Sequence, residues 1–377
     1  MRIAVITETY PPEINGVALT VRGFVEHLEP LGHAVDVVRP RQPDAGGMPG
    51  SDGDILVAGA GIPRYPGLRF GLPSARRLRA SWRQRRPDAA YIATEGPLGW
   101  SALGVARALG IPVATGFHTR FDDYLAYYGA GLLAPAVTAW LRGFHNRAQA
   151  TVVPTRELRD DLVARGFHDV RVLSRGVDTC LFDPARRDDD LRTAWSVGRE
   201  GLAVGHVGRI APEKNLGLAL RAFDAIAAAV PGARMVWIGD GPARARLERD
   251  HCGHVFAGQR CGEDLGRHFA SLDLFLFPSL TETFGNVTLE AMASGVPTLA
   301  FDYGAAREHL VDGAHGRTVD KTDAAAFVNA AVALAGDTAT RKRMGLAARS
   351  AVVGLTRESA AHALAHLLDG LRGRSAA

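Results

Sequence analysis

Lysine is almost missing from this chain. Its 377 residues hold three, Lys214, Lys321 and Lys342, against 41 arginines. A lysine in a loop here therefore runs against the habit of the sequence and marks a place where a compact ammonium is wanted. The shortage also disfavours pyridoxal phosphate chemistry, which needs a Schiff-base lysine. Cysteine is as sparse, with Cys180, Cys252 and Cys261 only. An odd, scattered set excludes a disulfide framework and suits a reducing compartment. His251, Cys252, His254 and Cys261 fall close together, but their spacing fits no zinc finger or ribbon. A strand over Val255–Gly258 would also point alternate side chains apart, so no metal is expected. Long apolar runs are absent too. Ile3 to Ile6 is too short for a signal peptide. The stretch from Gly96 to Phe117 is broken by Arg107, Gly110 and Pro112, which excludes a membrane-spanning helix. The expected location is the cytoplasm, or the inner face of the plasma membrane.

What is present is unevenly placed. The net charge is +4, yet residues 69–86 carry seven arginines and no acid, so the rest sums to 4 − 7 = −3. After Pro73, residues Ala75, Leu78 and Trp82 fall on one helical face. Arg76, Arg79, Arg83 and Arg86 fall on another. The segment 74–86 predicts a basic amphipathic helix, which suits an anionic membrane surface or a solvated face packed on its own domain. No recognition motif accompanies the charge, so nucleic acid is not an expected partner.

At this length the chain predicts two domains. Short apolar strands alternate with helices from Met1 to Leu173. A polar stretch, Asp183 to Arg199, reads as a linker. The alternation then restarts at Ala203. The pattern predicts an α/β protein with two Rossmann-like doubly wound domains, residues 1–182 and 183–355. The expected C-terminal helix lies within 356–377. Two such domains facing across a cleft would bring their strand ends to one ligand site.

The candidate site residues sit between those strands and helices. The run Leu274 to Phe277 reads as a strand, Pro278 to Phe284 as a loop, and Gly285-Asn286 as a helix start. Glu282 lies in the loop and Glu290 about one turn into the helix. Amides at that helix start favour an anion, while carboxylates accept from neutral hydroxyls. Arg209 and Lys214 occupy another strand-to-helix loop, suited to a phosphate. His118 ends a strand, and Gly16 opens a helix. Two glutamates could also be the acid and base of a hydrolase, with carboxyls ~5–9.5 Å apart; Arg209 and Lys214 argue against that. A dinucleotide oxidoreductase ranks low, because Gly205 to Ile210 lacks the third glycine of the fingerprint.

Glu282 to Glu290 resembles the glutamate-x7-glutamate motif of family 4 retaining glycosyltransferases, which have the GT-B fold. Other segments resemble the same family in the same order: Glu8 to Val17, Phe117-His118-Thr119, Gly208-Arg209-Ile210, Pro212 to Asn215, and Gly239-Asp240-Gly241-Pro242. The resemblance implies a metal-independent hexosyltransferase without cofactor, whose donor substrate is a nucleoside diphosphate sugar. It implies catalytic roles for His118, Arg209, Lys214 and Glu282. Donor contacts fall to Gly16, Arg209, Lys214, Gly239, Asp240, Gly241, Glu282, Phe284, Gly285, Asn286, Val287 and Glu290. Arg120, Asp122, Asp123 and Tyr124 would shape the acceptor pocket, and the last helix would cross back to the first domain. Gly96 to Trp100 and Phe144 to Arg147 lean toward bacterial mannosyltransferases that use GDP-mannose on a lipid or glycan. UDP-sugar enzymes (glucosyl, glucuronosyl or sulfoquinovosyl) carry similar motifs. A sugar-nucleotide sensor at a membrane is the non-enzyme alternative.

Overall fold

The computed structural model describes residues 1–375 apart from 14, 43–53, 63–64, 121–133 and 199. The chain divides into two compact units, Met1–Arg175 with Arg357–Ala377, and Gly176–Thr356.

In the first unit the chain runs β1 (Arg2–Ile6), α1 (Gly16–Leu28), β2 (Ala34–Pro40), β3 (Ile55–Val57), β4 (Gly59–Ile62) and β5 (Tyr65–Gly71). It continues through α2 (Ala75–Gln84), β6 (Ala89–Ile92), α3 (Pro97–Ala108), β7 (Val113–Gly116) and α4 (Ala134–His145). It closes with β8 (Ala150–Val153), α5 (Arg156–Ala164) and β9 (Val170–Val172). Seven strands form a sheet in the order β3-β2-β1-β6-β7-β8-β9, and neighbouring strands pair in parallel throughout. A parallel sheet is covered on both faces, which is why Ile3 to Ile6 of β1 read Ile-Ala-Val-Ile without alternation and are fully buried. The antiparallel pair β4–β5 lies apart from it. Its Gly- and Pro-rich sequence gave no strand signal.

The second unit contains α6 (Asp189–Ala194), β10 (Ala203–Val207), α7 (Leu216–Ala229), β11 (Arg234–Ile238), α8 (Arg244–Asp250) and β12 (Val255–Gly258). Then come α9 (Gly262–Ala270), β13 (Leu274–Phe277), α10 (Asn286–Ala293), β14 (Thr298–Phe301) and α11 (Gly304–His309). The unit ends with β15 (Gly316–Val319), α12 (Ala324–Gly336) and α13 (Thr338–Val352). Its six-stranded sheet has the order β12-β11-β10-β13-β14-β15. In both sheets the order reverses beside the first strand, between β1 and β6 and between β10 and β13. Open parallel sheets bind ligands just beyond the strand ends at such a reversal. The loops after β10 and β13 are therefore the place to look in this unit.

The final helix, α14 (Arg357–Ser375), belongs to the first unit. Its Ala361, Leu364, Leu368 and Leu371 share a core with Val21, Phe24 and Leu28 of α1.

One expectation needs correction. The stretch from Asp183 to Arg199 is not a linker where it is described. Val177 and Phe182, expected in the first domain, lie in a core of the second unit. Asp183 accepts a 2.7 Å bond from Arg349, and α6 is capped by the Asp188 carboxylate at Leu191 N–H, 2.8 Å. Arg192 is 1 % exposed. The polar residues there serve buried carbonyls and ion pairs, which composition cannot distinguish from solvation. For α2 the fold meets one of the two expected alternatives, a helix packed on its own domain. Its Leu78 and Trp82 are buried among Val38, Val57, Leu98 and Leu103. The aromatic stripe is spent on the domain's own core and is not offered to lipid. No helix among the described residues is long and apolar enough to cross a membrane.

Candidate functional site

Beyond β10 the backbone enters Gly208, passes Arg209 and tightens into a single 3₁₀ turn over Pro212–Lys214. Asn215 follows in the left-handed region at φ 54°, and α7 begins. Beyond β13 the loop carries Ser279 and Glu282 to Gly285, the left-handed N-cap of α10, which has no side-chain cap. Lys214 Nζ is hydrogen-bonded to Glu282 Oε1. Ser279 Oγ donates to the same oxygen at 2.7 Å, and Tyr303 Oη steadies the loop by donating to the Ser279 carbonyl at 2.7 Å. The two expected charged residues from separate loops thus meet at the switch point.

Arg209 Nη1 lies 3.7 Å from Glu213 Oε1, with the arginine side chain 41 % exposed and the glutamate 1 %. His206, on β10 and fully buried, is pushed down to about 4 by burial first and then by the Lys214 ammonium, against the pull of a backbone hydrogen bond at Leu276. It stays neutral at physiological pH, so the loop's positive charge comes from Arg209 and Lys214.

The loop after β11 packs directly on this one. A Cβ on Gly239 would sit 1.9 Å from the Gly208 carbonyl oxygen, and one on Gly241 would sit 2.4 Å from that of Ile210. Gly239 also has φ 142°. Only glycine permits this approach. Asp240 is exposed; its carboxylate accepts the Gly241 N–H at 2.7 Å. Phe284 differs from expectation. Its side chain is 2 % exposed and sits in the core, against the His309 ring; its carbonyl accepts from Ala305 N–H at 2.7 Å. Only its backbone could face a ligand. Val287 packs partly against the same core. Asn286 opens α10, and Glu290 lies in its second turn, half-buried.

The remaining expected residues belong to the first unit. Gly16 starts α1, where the Asn15 side chain caps the amides of Val17 and Ala18 at 3.1 and 2.9 Å. His118, beyond β7, has both ring nitrogens engaged. Arg175 Nη2 donates to Nδ1 at 3.1 Å, and Nε2 lies 2.7 Å from Tyr91 Oη. Arginine only donates, so Nδ1 is the acceptor and Nε2–H donates to the tyrosine oxygen. Burial first, then Arg175 and His145, holds His118 well below the usual histidine range. A hydroxyl reaching this ring must displace one of these partners. Arg120 pairs with Asp161 at 3.2 Å. Asp122, Asp123 and Tyr124 lie outside the described residues. His254, from the cysteine–histidine group, accepts the Trp237 indole N–H at 3.2 Å.

Sequence reasoning missed a second buried group here. Glu95 Oε1 meets His145 Nε2 at 3.3 Å, and His145 Nδ1 meets Thr115 Oγ1 at 2.8 Å. Glu8 Oε1 accepts Leu98 N–H at 2.9 Å at the start of α3. Glu8 and His145 stood inside quoted motifs, and Glu95 beside one, but nothing in the spacing joined them. Burial raises the Glu8 carboxyl to about 7; the amides of Leu98 and Gly99 oppose that, and Glu95 adds to it. The folded chain therefore keeps a proton that the unfolded chain loses near pH 4.5. Stability falls as pH rises through that window, by about 3 kcal/mol in all. Glu8→Gln keeps an acceptor for Leu98 and removes the titration. Melting curves at pH 5 and pH 8 should show the variant gaining on wild type at the higher pH. A gap that does not change with pH would count against this account.

Comparison with known proteins agrees with the architecture. The profile described as Glycosyltransferase Family 4 matches residues 14–180, and that described as Glycosyl transferases group 1 matches 201–337. A GDP-mannose-dependent alpha-mannosyltransferase of Mycobacterium tuberculosis is 34 % identical, over 99 % of this chain and 98 % of that one. A sulfoquinovosyl transferase of Arabidopsis thaliana is 31 % identical, over 92 % and 69 %. Among solved structures, sucrose-phosphate synthase from Thermosynechococcus elongatus superposes with a TM-score of 0.79 at 19 % identity, covering 99 % of each chain.

Proposed function

As the chain belongs to glycosyltransferase family 4 and has the GT-B fold, we propose that this hexosyltransferase moves mannose from GDP-mannose to a hydroxyl of a lipid or glycan, with retention of configuration. The observation that carries the reading is the meeting of Lys214 with Glu282 at the β10–β13 switch point, with Arg209 on the same loop. In this reading Arg209 and Lys214 take the diphosphate, one as a planar fork and the other as a compact charge. Glu282 accepts from a hydroxyl of the sugar, and Glu290 from the ribose. The Gly239-Asp240-Gly241 loop and the first amides of α10 line the nucleotide side. For Gly16 and His118, which belong to the first unit, family membership implies roles toward the sugar or the acceptor. As the glycosidic bond to the diphosphate breaks, negative charge grows on the leaving oxygen. Arg209 and Lys214 meet that charge without rearranging, which is where such sites gain most of their rate. The acceptor hydroxyl attacks on the same face, and its proton passes to the leaving oxygen.

The relatives' names favour a mannosyl donor, since the 34 % relative uses GDP-mannose. The sulfoquinovosyl transferase keeps another sugar in view. The exposed Arg76, Arg77, Arg79 and Arg83 of α2 favour an anionic bilayer as the place of work. With Trp82 buried, that attraction is electrostatic, at roughly 1 kcal/mol per cation near the surface. The three exposed, unpaired cysteines fit a cytoplasmic setting.

One experiment tests donor and surface together. GDP at about 100 times its Kd should stabilise the protein by about 2.7 kcal/mol, read as a raised Tm, with UDP doing much less. Radiolabel from GDP-mannose should pass to hydroxyl-bearing lipid in anionic vesicles. Arg76→Glu, Arg79→Glu and Arg83→Glu together should stop the protein floating with those vesicles. Stabilisation by UDP alone would sink the mannosyl reading. Unchanged flotation would sink the membrane reading.

A further inference from the structure

Both cations of the proposed diphosphate site already stand beside a carboxylate. Lys214 is paired with Glu282, and Arg209 with Glu213. Two cations and two acids make the local sum 2 − 2 = 0. The two acids are not alike. The Glu282 side chain is 15 % exposed and lies on the loop after β13, so it can part from Lys214 and turn to a ligand hydroxyl. Glu213 cannot. It is built into the same 3₁₀ turn as Lys214, its side chain is 1 % exposed, and its carbonyl is held by Leu280 N–H at 3.1 Å.

The surroundings of Glu213 are unusual for an acid. Neither carboxylate oxygen has a hydrogen-bond partner among the described residues. Arg209 Nη1, 3.7 Å away, is too far for a hydrogen bond but well within Coulomb range. A buried carboxylate without donors is a burden on the fold. It cannot steer Arg209 by directional bonding. What it can do is set the charge seen by whatever lies on the far side of that guanidinium.

Resting on the reading of Arg209 and Lys214 as diphosphate ligands, we infer that Glu213 is a fixed countercharge that limits how tightly the site holds a nucleoside diphosphate, so that this product leaves after each transfer. When the donor binds, Lys214 exchanges Glu282 for phosphate oxygens. Arg209 keeps Glu213. The leaving diphosphate therefore meets less net positive charge than two bare cations would present. The design trades binding strength for release.

The test is calorimetric titration of the full-length protein with GDP and with guanosine. Glu213→Gln keeps the shape and removes the charge, and GDP should bind about tenfold tighter. Guanosine, which carries no phosphate, should bind as before. Product inhibition by GDP should deepen in step. Glu213→Met is the second variant, and both should melt at or above the wild-type temperature, since a buried unsatisfied charge has gone. GDP affinity that is unchanged or weaker would overturn the proposal. So would a failure of both variants to fold, because the acid would then be structural. Arg209→Ala separates the two ideas. If it leaves GDP affinity untouched, the diphosphate reading itself is wrong. If it weakens GDP while Glu213→Gln fails to strengthen it, only the countercharge falls.

Discussion

Replacing Lys214 with alanine should lower kcat about 100- to 1,000-fold, the usual loss when one preorganised group that meets developing charge is removed. The argument is local. Lys214 is one of three lysines in the chain, its side chain is 13 % exposed, and it is paired with Glu282 from the loop after β13. Alanine removes the ammonium and leaves the Glu282 carboxylate facing the diphosphate with no cation between them. Both changes raise the energy of the charged leaving group more than that of the bound donor. The loss should therefore appear in kcat as well as in donor affinity. Arginine at this position should not restore the rate, because its fork is longer and planar where the turn presents a point charge. Steady-state kinetics with circular dichroism as a fold control would decide the matter. Turnover surviving within a small factor would remove Lys214 from the mechanism.

The largest expected effect on stability lies away from these groups. Asp273→Ala should cost about 3–5 kcal/mol, the range for stranding one partner of a buried ion pair. Asp273 Oδ2 accepts from Arg192 Nη1 at 2.9 Å and from Ala203 N–H at 2.8 Å, while Oδ1 accepts from Arg187 at 2.7 Å. Arg192 also donates to the carbonyls of Ser271 and Gly201, each at 2.8 Å. This knot ties α6 to the starts of β10 and β13, the two strands whose far ends carry Arg209, Lys214 and Glu282. Urea denaturation should show a lower midpoint at constant slope. Adding Arg192→Met to Asp273→Ala should recover part of the loss, because no unpaired guanidinium remains buried. A cost under about 1 kcal/mol, the level of an exposed pair, would show that the knot is solvated.

The legible part of this protein was the part written locally. Apolar strands alternating with helices announced the two sheets. The strand-loop-helix setting of Lys214 and Glu282 announced loops suited to an anion, while their meeting at one switch point needed the strand order. The illegible parts depend on long-range partners. His118 meets residues 27 and 57 positions away, and Tyr91 looked like any strand residue. Leu78 and Trp82 made a good amphipathic stripe, but such a stripe cannot say whether lipid or protein covers it. Arg192 looked solvated because Asp273 and the Ser271 carbonyl are remote in sequence. Phe284 was grouped with its polar neighbours, although its ring was needed in the core. Glu213 sat inside a quoted motif, yet only the fold shows its carboxylate buried with no hydrogen-bond donor among the described residues.

The return of α14 to α1 sets a schedule for synthesis. A ribosome emits residues in order, so the stretch from Met1 to Arg175 emerges without the helix that lines its sheet. The apolar side of α1, with Val21, Phe24 and Leu28, completes its packing only once Leu364, Leu368 and Leu371 have been translated. The second unit is one continuous stretch and can close its cores as soon as it is released. The half that is made first is thus completed last, and the nascent chain carries a partly covered greasy seam through most of its production.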